Sequence, residues 1–153
     1  MAGNSPRYIS AAYYQDPAAA LDWLERVFGF ETTMKITDGT GKIVHSEMEI
    51  DGHRIMIGPA DWSDFARSPK GLNGANTQSI HVDVPDVAAH FAHAKEAGAR
   101  IVADLQDQFY GAKTYRAADP EGHVWSFGQQ IREVALEEVG KAAGLTVEVR
   151  TKT

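Results

Sequence analysis

Apolar positions along the chain follow two rhythms. In DPAAALDWLERVFGFE, residues 16–31, Leu21, Leu24, Val27 and Phe28 recur at helical spacing, and Val87, Phe91 and Ala94 do the same in PDVAAHFAHAKEAGAR, residues 85–100. Each stretch predicts an amphipathic helix. The ends agree: Asp16 and Asp86 are N-cap residues, Pro17 takes the first helical position, and Gly29 and Gly98 stop the helices. A strand-like segment precedes each helix, YISAAYY at 8–14 and QSIHVDV at 78–84. Three more strands follow each helix, at about 30–36, 42–50 and 53–58 in the first half and about 100–106, 112–119 and 123–128 in the second. Asp51-Gly52 is a hairpin signal, and Pro120-Glu121-Gly122 forms the matching turn.

The two halves are copies of one module. DGHRIMIG at 51–58 and EGHVWSFG at 121–128 are nearly the same phrase, and Gly52 pairs with Gly122 at a period of 70 residues. The expected fold is α+β: two β-α-β-β-β modules in tandem, forming a curled eight-stranded mixed sheet around a cleft, plus a C-terminal helix. Residues 1–153 read as one domain, with module one at 7–60, a linker at 61–77 that ends in the Gly- and Asn-rich SPKGLNGANT, and module two at 78–130. The tail, 131–153, lies outside the repeat. IREVALEEVGKAAGL (131–145) predicts an amphipathic helix weakened by Gly140, and TVEV (146–149) an edge strand, with packing or dimer contact as their expected role.

Composition narrows the partners. A chain of 153 residues, 43% hydrophobic and 24% charged, has the makings of a real core. It has no cysteine, which removes disulfides, thiolate metal sites and cysteine nucleophiles and fits a reducing cytoplasm. No apolar run approaches the roughly 20 residues needed to span a bilayer, so no membrane partner is expected. The formal charge of -6 and scattered basic residues argue against nucleic acid.

With DPAAALDWLERVFGFE after its first strand and DPEGHVWSFG near its end, the paired module resembles the vicinal oxygen chelate superfamily, which contains glyoxalases, extradiol dioxygenases and bleomycin-resistance-type binding proteins. The resemblance covers about residues 7–130. It implies eight strands curled round a cleft, where the enzymes hold a divalent metal with His, Glu or Gln from the first and last strands of each module. Carried onto this chain, those positions fall on Ser126, its repeat mate Met56, Ser79, and Ile9 or Ser10. None offers the imidazole or carboxylate that zinc, nickel, iron and manganese favour. The expectation is therefore no metal and no cofactor, as in the metal-free bleomycin-resistance-like branch.

Several side chains are expected in the cleft. Strand alternation puts Ser79, His81 and Asp83 on one face, opposite Ile80, Val82 and Val84. The apolar face packs on the helix, so His81 looks into the cleft as a hydrogen-bonding group for a ligand. A displaced metal site using His81 and Glu47 is the less favoured alternative. Glu47 shares a face with His45 and Glu49 and resembles the acid that metal-free relatives keep in mid-strand; a carboxylate there suits a cationic or hydroxylated ligand, or a general base. An exposed strand glutamate is its equal alternative. Tyr13, Phe109, Tyr110 and Tyr115 fall where the superfamily borders its cleft, forming an aromatic wall for a flat or apolar molecule. With Met56 and Ser126 these are the expected ligand-binding residues.

Other residues have more local readings. Trp23, Trp125 and Phe127 belong to the core, while Trp62 and Phe65 are either a cover over the cleft or a dimer contact. His53 and His123 are expected to bond turn carbonyls, and His90 and His93 to face solvent. No catalytic residue is assigned: there is no Gly-rich phosphate loop, no GxSxG, and no Ser/His/Asp arrangement that spacing flags.

The favoured function is a metal-free small-molecule binding protein that sequesters an antibiotic or aromatic metabolite in the clefts of a homodimer. The alternative is an enzyme: a lyase, isomerase or dioxygenase with a rearranged metal site, or a metal-independent catalyst using Glu47 or His81. An accessory domain acting through its tail ranks third.

Overall fold

The computed structural model describes residues 7–151. In chain order the elements are β1 (Ala11–Tyr14), α1 (Pro17–Phe28), β2 (Glu31–Thr37), β3 (Ile43–Ile50) and β4 (His53–Pro59), then β5 (Ile80–Asp83), α2 (Val87–Glu96), β6 (Arg100–Asp107), β7 (Ala112–Ala118), β8 (Val124–Gln130) and α3 (Leu136–Ala143). A short 3-10 turn, Pro69–Leu72, interrupts the linker. The eight strands fall into two four-stranded mixed sheets, ordered β1-β4-β3-β2 and β5-β8-β7-β6. In each sheet the first strand runs parallel to the last, and the remaining pairs are antiparallel.

Local chemistry explains the element ends. Asp16 and Asp86 each accept a hydrogen bond from the backbone N–H three residues on, at 3.1 and 3.0 Å, which satisfies a donor the helix leaves free. Gly29 ends α1 in the left-handed conformation. Asp51 and Gly52 both have positive φ, 49° and 78°, as a tight two-residue hairpin demands.

One hydrophobic core spans both modules. Leu21, Leu24, Val27 and Phe28 of α1 and Val87 and Ala94 of α2 meet Met48, Ile57, Tyr115, Trp125 and Phe127 from the sheets. Each helix covers one face of its own sheet, and Phe28 reaches across to stack near Trp125 and Phe127, with centroids 5.8 and 4.7 Å away. The other face of each sheet is left open.

Buried carboxylates lock the modules together. Asp119 accepts from the Tyr14 hydroxyl at 2.6 Å and the Trp125 indole at 3.1 Å with one oxygen, and from the Glu121 and His123 backbone N–H groups with the other. Burial, and then the charge of Asp119, push the Tyr14 hydroxyl well above its ordinary pKa, so it stays a donor. Glu121 accepts from the Gln15 and Asp16 backbone N–H groups and from the Ser68 hydroxyl. The turn of module two thus satisfies the β1–α1 junction of module one.

The tail departs from the sequence expectation. Residues 131–135 are not helical, because the backbone N–H groups of Ile131 and Arg132 bond the Gly111 carbonyl before α3 begins. Nor is 146–149 an edge strand. Gly144 ends α3 at φ 66°, Leu145 N–H bonds the Gly140 carbonyl at 2.7 Å, and Val147 folds back over Gly140, where a Cβ would stand 2.6 Å from the Leu145 oxygen. Among the described residues, no helix is long and apolar enough to cross a membrane.

Candidate functional site

The open face of each sheet can be read from strand register, since directly paired residues share a face. Across sheet one the central row is Ala11, Met56, Glu47 and Met34. Across sheet two it is His81, Ser126, Arg116 and Ala103. Met56 and Ser126 hold the same place in the two modules, one presenting a thioether and the other a hydroxyl.

On sheet one, Glu47 is held by its neighbours. One carboxylate oxygen accepts from Arg54 at 3.3 Å and the other lies 3.4 Å from His45 Nε2. Its side chain is only 15% exposed, and its row ends in the exposed apolar Met34, with the exposed Ile36 opposite His45 on the same face. A largely covered carboxylate beside apolar surface offers one charged contact within an otherwise greasy patch.

On sheet two, His81 stands between two partners. Its Nδ1 is 2.9 Å from Ser126 Oγ and its Nε2 is 3.1 Å from Asp83 Oδ1. The ring lies against Gly128, where a Cβ would come 2.9 Å from its Cε1. Around it, Gln106, Gln108, Tyr110, Thr114 and Arg116 line a hollow of about 230 Å³.

Two larger hollows border these faces. One of about 460 Å³ lies between the β3–β4 hairpin and β5, walled by Phe30, Ile50, His53, Arg54, His81 and Trp125. Another, about 560 Å³, is bordered by Tyr13, Phe65, Arg67, Asn76, Gln78 and His123. Both volumes suit a small organic molecule. Tyr13, Trp62 and Phe65 form an edge-to-face trio with centroids 4.9 to 6.5 Å apart, and Trp62 and Phe65 are largely exposed.

The expected ligand-binding residues are therefore spread over several places within the chain. Glu47 and Met56 meet on sheet one, His81 and Ser126 on sheet two, and Tyr13 sits beside the larger hollow. Phe109 and Tyr110 pack on each other in the β6–β7 turn, and Tyr110 reaches the small hollow.

Tyr115 is a correction. It borders the small hollow, but its side chain is in the core, 1% exposed, stacked on Phe127 and bonded through its hydroxyl to His90 at 2.6 Å, so its ring presents no aromatic wall to a ligand. Burial raises its pKa. The sequence carried the signal, because Tyr115 alternates with the polar Thr114 and Arg116, whose face is the open one.

His90 is a second correction, half-buried where the sequence predicts exposure, while His93 is exposed as expected; both bridge the modules. His90 Nε2–H donates to the Phe28 carbonyl at 2.8 Å, which leaves Nδ1 to accept from Tyr115, and His93 Nε2 bonds the Arg26 carbonyl at 2.8 Å. They supply donors to carbonyls that the end of α1 leaves unpaired. Burial lowers the His90 pKa and favours the neutral ring. His123 has a structural bond as expected, though to Tyr13 across the module boundary at 2.7 Å and not to its own turn.

The donor set does not fit a divalent metal. The open-face rows present Met56 and Ser126 where imidazole or carboxylate would be needed, and Glu47 and His81 are each tied to neighbours on separate sheets. Among the described residues no three His, Cys, Asp or Glu side chains gather into a metal-holding group.

Comparison with known proteins agrees with this architecture. A family model described as Glyoxalase/Bleomycin resistance protein/Dioxygenase superfamily matches residues 9–127. An uncharacterized protein of Mycobacterium tuberculosis (strain ATCC 25618 / H37Rv) is 35% identical over 130 residues, spanning 83% of this chain and 76% of its own. Among solved structures, TioX from Micromonospora sp. ML1 is similar at 31% identity and TM-score 0.66, covering 85% of this chain and 100% of TioX. TnmS3, an antibiotic binding protein from Streptomyces sp. CB03234, shares the fold at 17% identity and TM-score 0.63, covering 85% of this chain and 98% of its own.

Proposed function

The chain belongs to the Glyoxalase/Bleomycin resistance protein/Dioxygenase superfamily, and we propose that within it the protein is a metal-free binder of a small organic molecule, of the antibiotic or aromatic-metabolite class. The observation that carries this reading is the pair of open-face rows. Each holds a single formally charged side chain, Glu47 among apolar neighbours and Arg116 among Ala103, Ser126 and the imidazole of His81, and the places that the resemblance assigns to metal ligands hold Met56 and Ser126. Such surfaces fix a ligand by one ionic contact and apolar area. The fold shared with TnmS3, itself an antibiotic binding protein, supports the ligand class.

The same rows support a homodimer. Met34 and Ile36 stay exposed beside Glu47 on sheet one, while sheet two presents Arg116, so the two kinds of face are complementary in charge. Light scattering on the purified chain is expected to give twice the 16.7 kDa chain mass; a monomer at micromolar concentration would remove the dimer from the proposal.

Thermal-shift screening of metal-free protein with cationic and aromatic antibiotics tests the binder. The expected outcome is a ligand that raises Tm, with the rise reduced by Glu47→Ala or Tyr13→Ala. A screen without any hit, together with turnover of a glyoxalase or dioxygenase substrate on metal loading, would favour the enzymatic alternative instead.

A further inference from the structure

We propose that Ser126, His81 and Asp83 form a nucleophilic relay on the open face of sheet two, able to take an acyl group from a small activated ester. Parallel pairing of β5 with β8 sets His81 beside Ser126, and Asp83, two residues on, projects from the same face. The protons have one consistent arrangement. An ionised carboxylate only accepts, so the His81 Nε2–H donates to Asp83 at 3.1 Å. The Nδ1 lone pair then faces Ser126 Oγ at 2.9 Å, and the serine hydroxyl donates to it. A carboxylate fixing the imidazole tautomer whose free nitrogen accepts a serine proton is the hydrolytic triad by role, whichever ring nitrogen serves each partner and whatever the order along the chain.

The chain makes room for this arrangement. Gly128 lies beside the ring, and a Cβ there would come 2.9 Å from His81 Cε1 and 3.1 Å from Nε2. Its φ is outside the left-handed region, so what the position needs is space and not glycine's backbone freedom. Any side chain would push the ring from its seat. Arg116, paired with Ser126 across β7 and β8, lines the same hollow and is the positive charge available to a developing oxyanion. The hollow's size, about 230 Å³, suits a small acyl group.

In the acylation step Ser126 Oγ bonds to the ester carbonyl carbon while its proton passes to His81 Nδ1. The bond to the leaving alcohol then breaks, and His81 returns that proton to the leaving oxygen. Water attacks the acyl-serine with His81 again taking the proton, the carboxylic acid departs, and Ser126 regains its hydrogen. No oxidant, reductant or metal is required. Ligand capture on these faces does not depend on the relay, so failure of either leaves the other standing.

The test is p-nitrophenyl acetate with intact-mass and peptide mapping. A single acetyl group is expected on Ser126, absent in Ser126→Ala, with nitrophenol release about 100-fold slower in His81→Gln and about tenfold slower in Asp83→Asn. Gly128→Ala leaves all three groups present but displaces the ring, and is expected to slow release as His81→Gln does. Circular dichroism checks that each variant is folded. Acetyl found only on lysines, or unchanged release in folded His81→Gln and Gly128→Ala, would overturn the relay.

Discussion

The phrases DGHRIMIG and EGHVWSFG occupy equivalent places in the two modules, yet they live in different surroundings. In module two, Asp119, Glu121 and His123 around Gly122 are bonded into module one: Asp119 to Tyr14, Glu121 to Gln15 and Asp16, and His123 to the Tyr13 carbonyl. In module one, Asp51, Gly52 and His53 at the equivalent turn are exposed. A repeat preserves the shape of a turn without preserving its work. One copy joins the modules and the other borders the hollow beside β5.

The contrast is sharpest at position 119. Asp119→Ala strands the buried Tyr14 hydroxyl and Trp125 indole, and is expected to cost about 3–5 kcal/mol in urea unfolding. Its repeat mate Glu49, which pairs with exposed Arg54 across β3 and β4, should change stability by less than about 0.5 kcal/mol on the same substitution. Equal effects would mean that the module-two turn is no interlock.

A smaller difference is expected two residues on. Glu121→Ala removes the acceptor of two backbone donors and Ser68, for an expected loss of about 2 kcal/mol. Asp51→Gly, at φ 49°, should be neutral or stabilising by up to about 1 kcal/mol, because glycine adopts that conformation without strain. Chemical denaturation of the two variants side by side decides the point.

The α1–α2 bridge gives the mildest effect, through pH. His90 has a lowered pKa in the folded chain, with burial as the main cause, so below its ordinary value of about 6.5 the unfolded chain binds more protons than the folded one. Stability is full above that pH and falls as the pH drops through it toward the folded pKa. His90→Gln should lower stability at neutral pH but flatten this acid-side decline. A parent curve no steeper than the variant's between pH 7 and 5 would remove His90 as its source.

Much of the fold was legible because its signals are local. Asp16 and Asp86 cap their helices, Asp51-Gly52 turns its hairpin, and the repeat of Gly52 and Gly122 sets out the module pair. What stayed hidden depends on contacts between distant segments. The Ser126–His81–Asp83 cluster arises from strand pairing across 45 residues, and spacing alone has no means to show it. Glu121 reads as a turn residue until module one supplies its donors. Tyr115 and His90 were misplaced for a different reason: alternation with Thr114 and Arg116, and a helical position three after Val87, already pointed both toward the core. The tail failed as a long helix because the N–H groups of Ile131 and Arg132 are drawn to Gly111, a tertiary contact that helical periodicity does not encode.

The most direct measurement is the metal content of protein purified without chelators or a metal-affinity tag, before and after reloading with nickel, zinc, iron(II) and manganese. A metal-free binder carries no stoichiometric metal and takes none up, because Met56 and Ser126 stand at the places that the resemblance assigns to the superfamily's ligands. One metal per chain, lost on His81→Ala and Glu47→Ala, would contradict it and make the open faces a rearranged metal site.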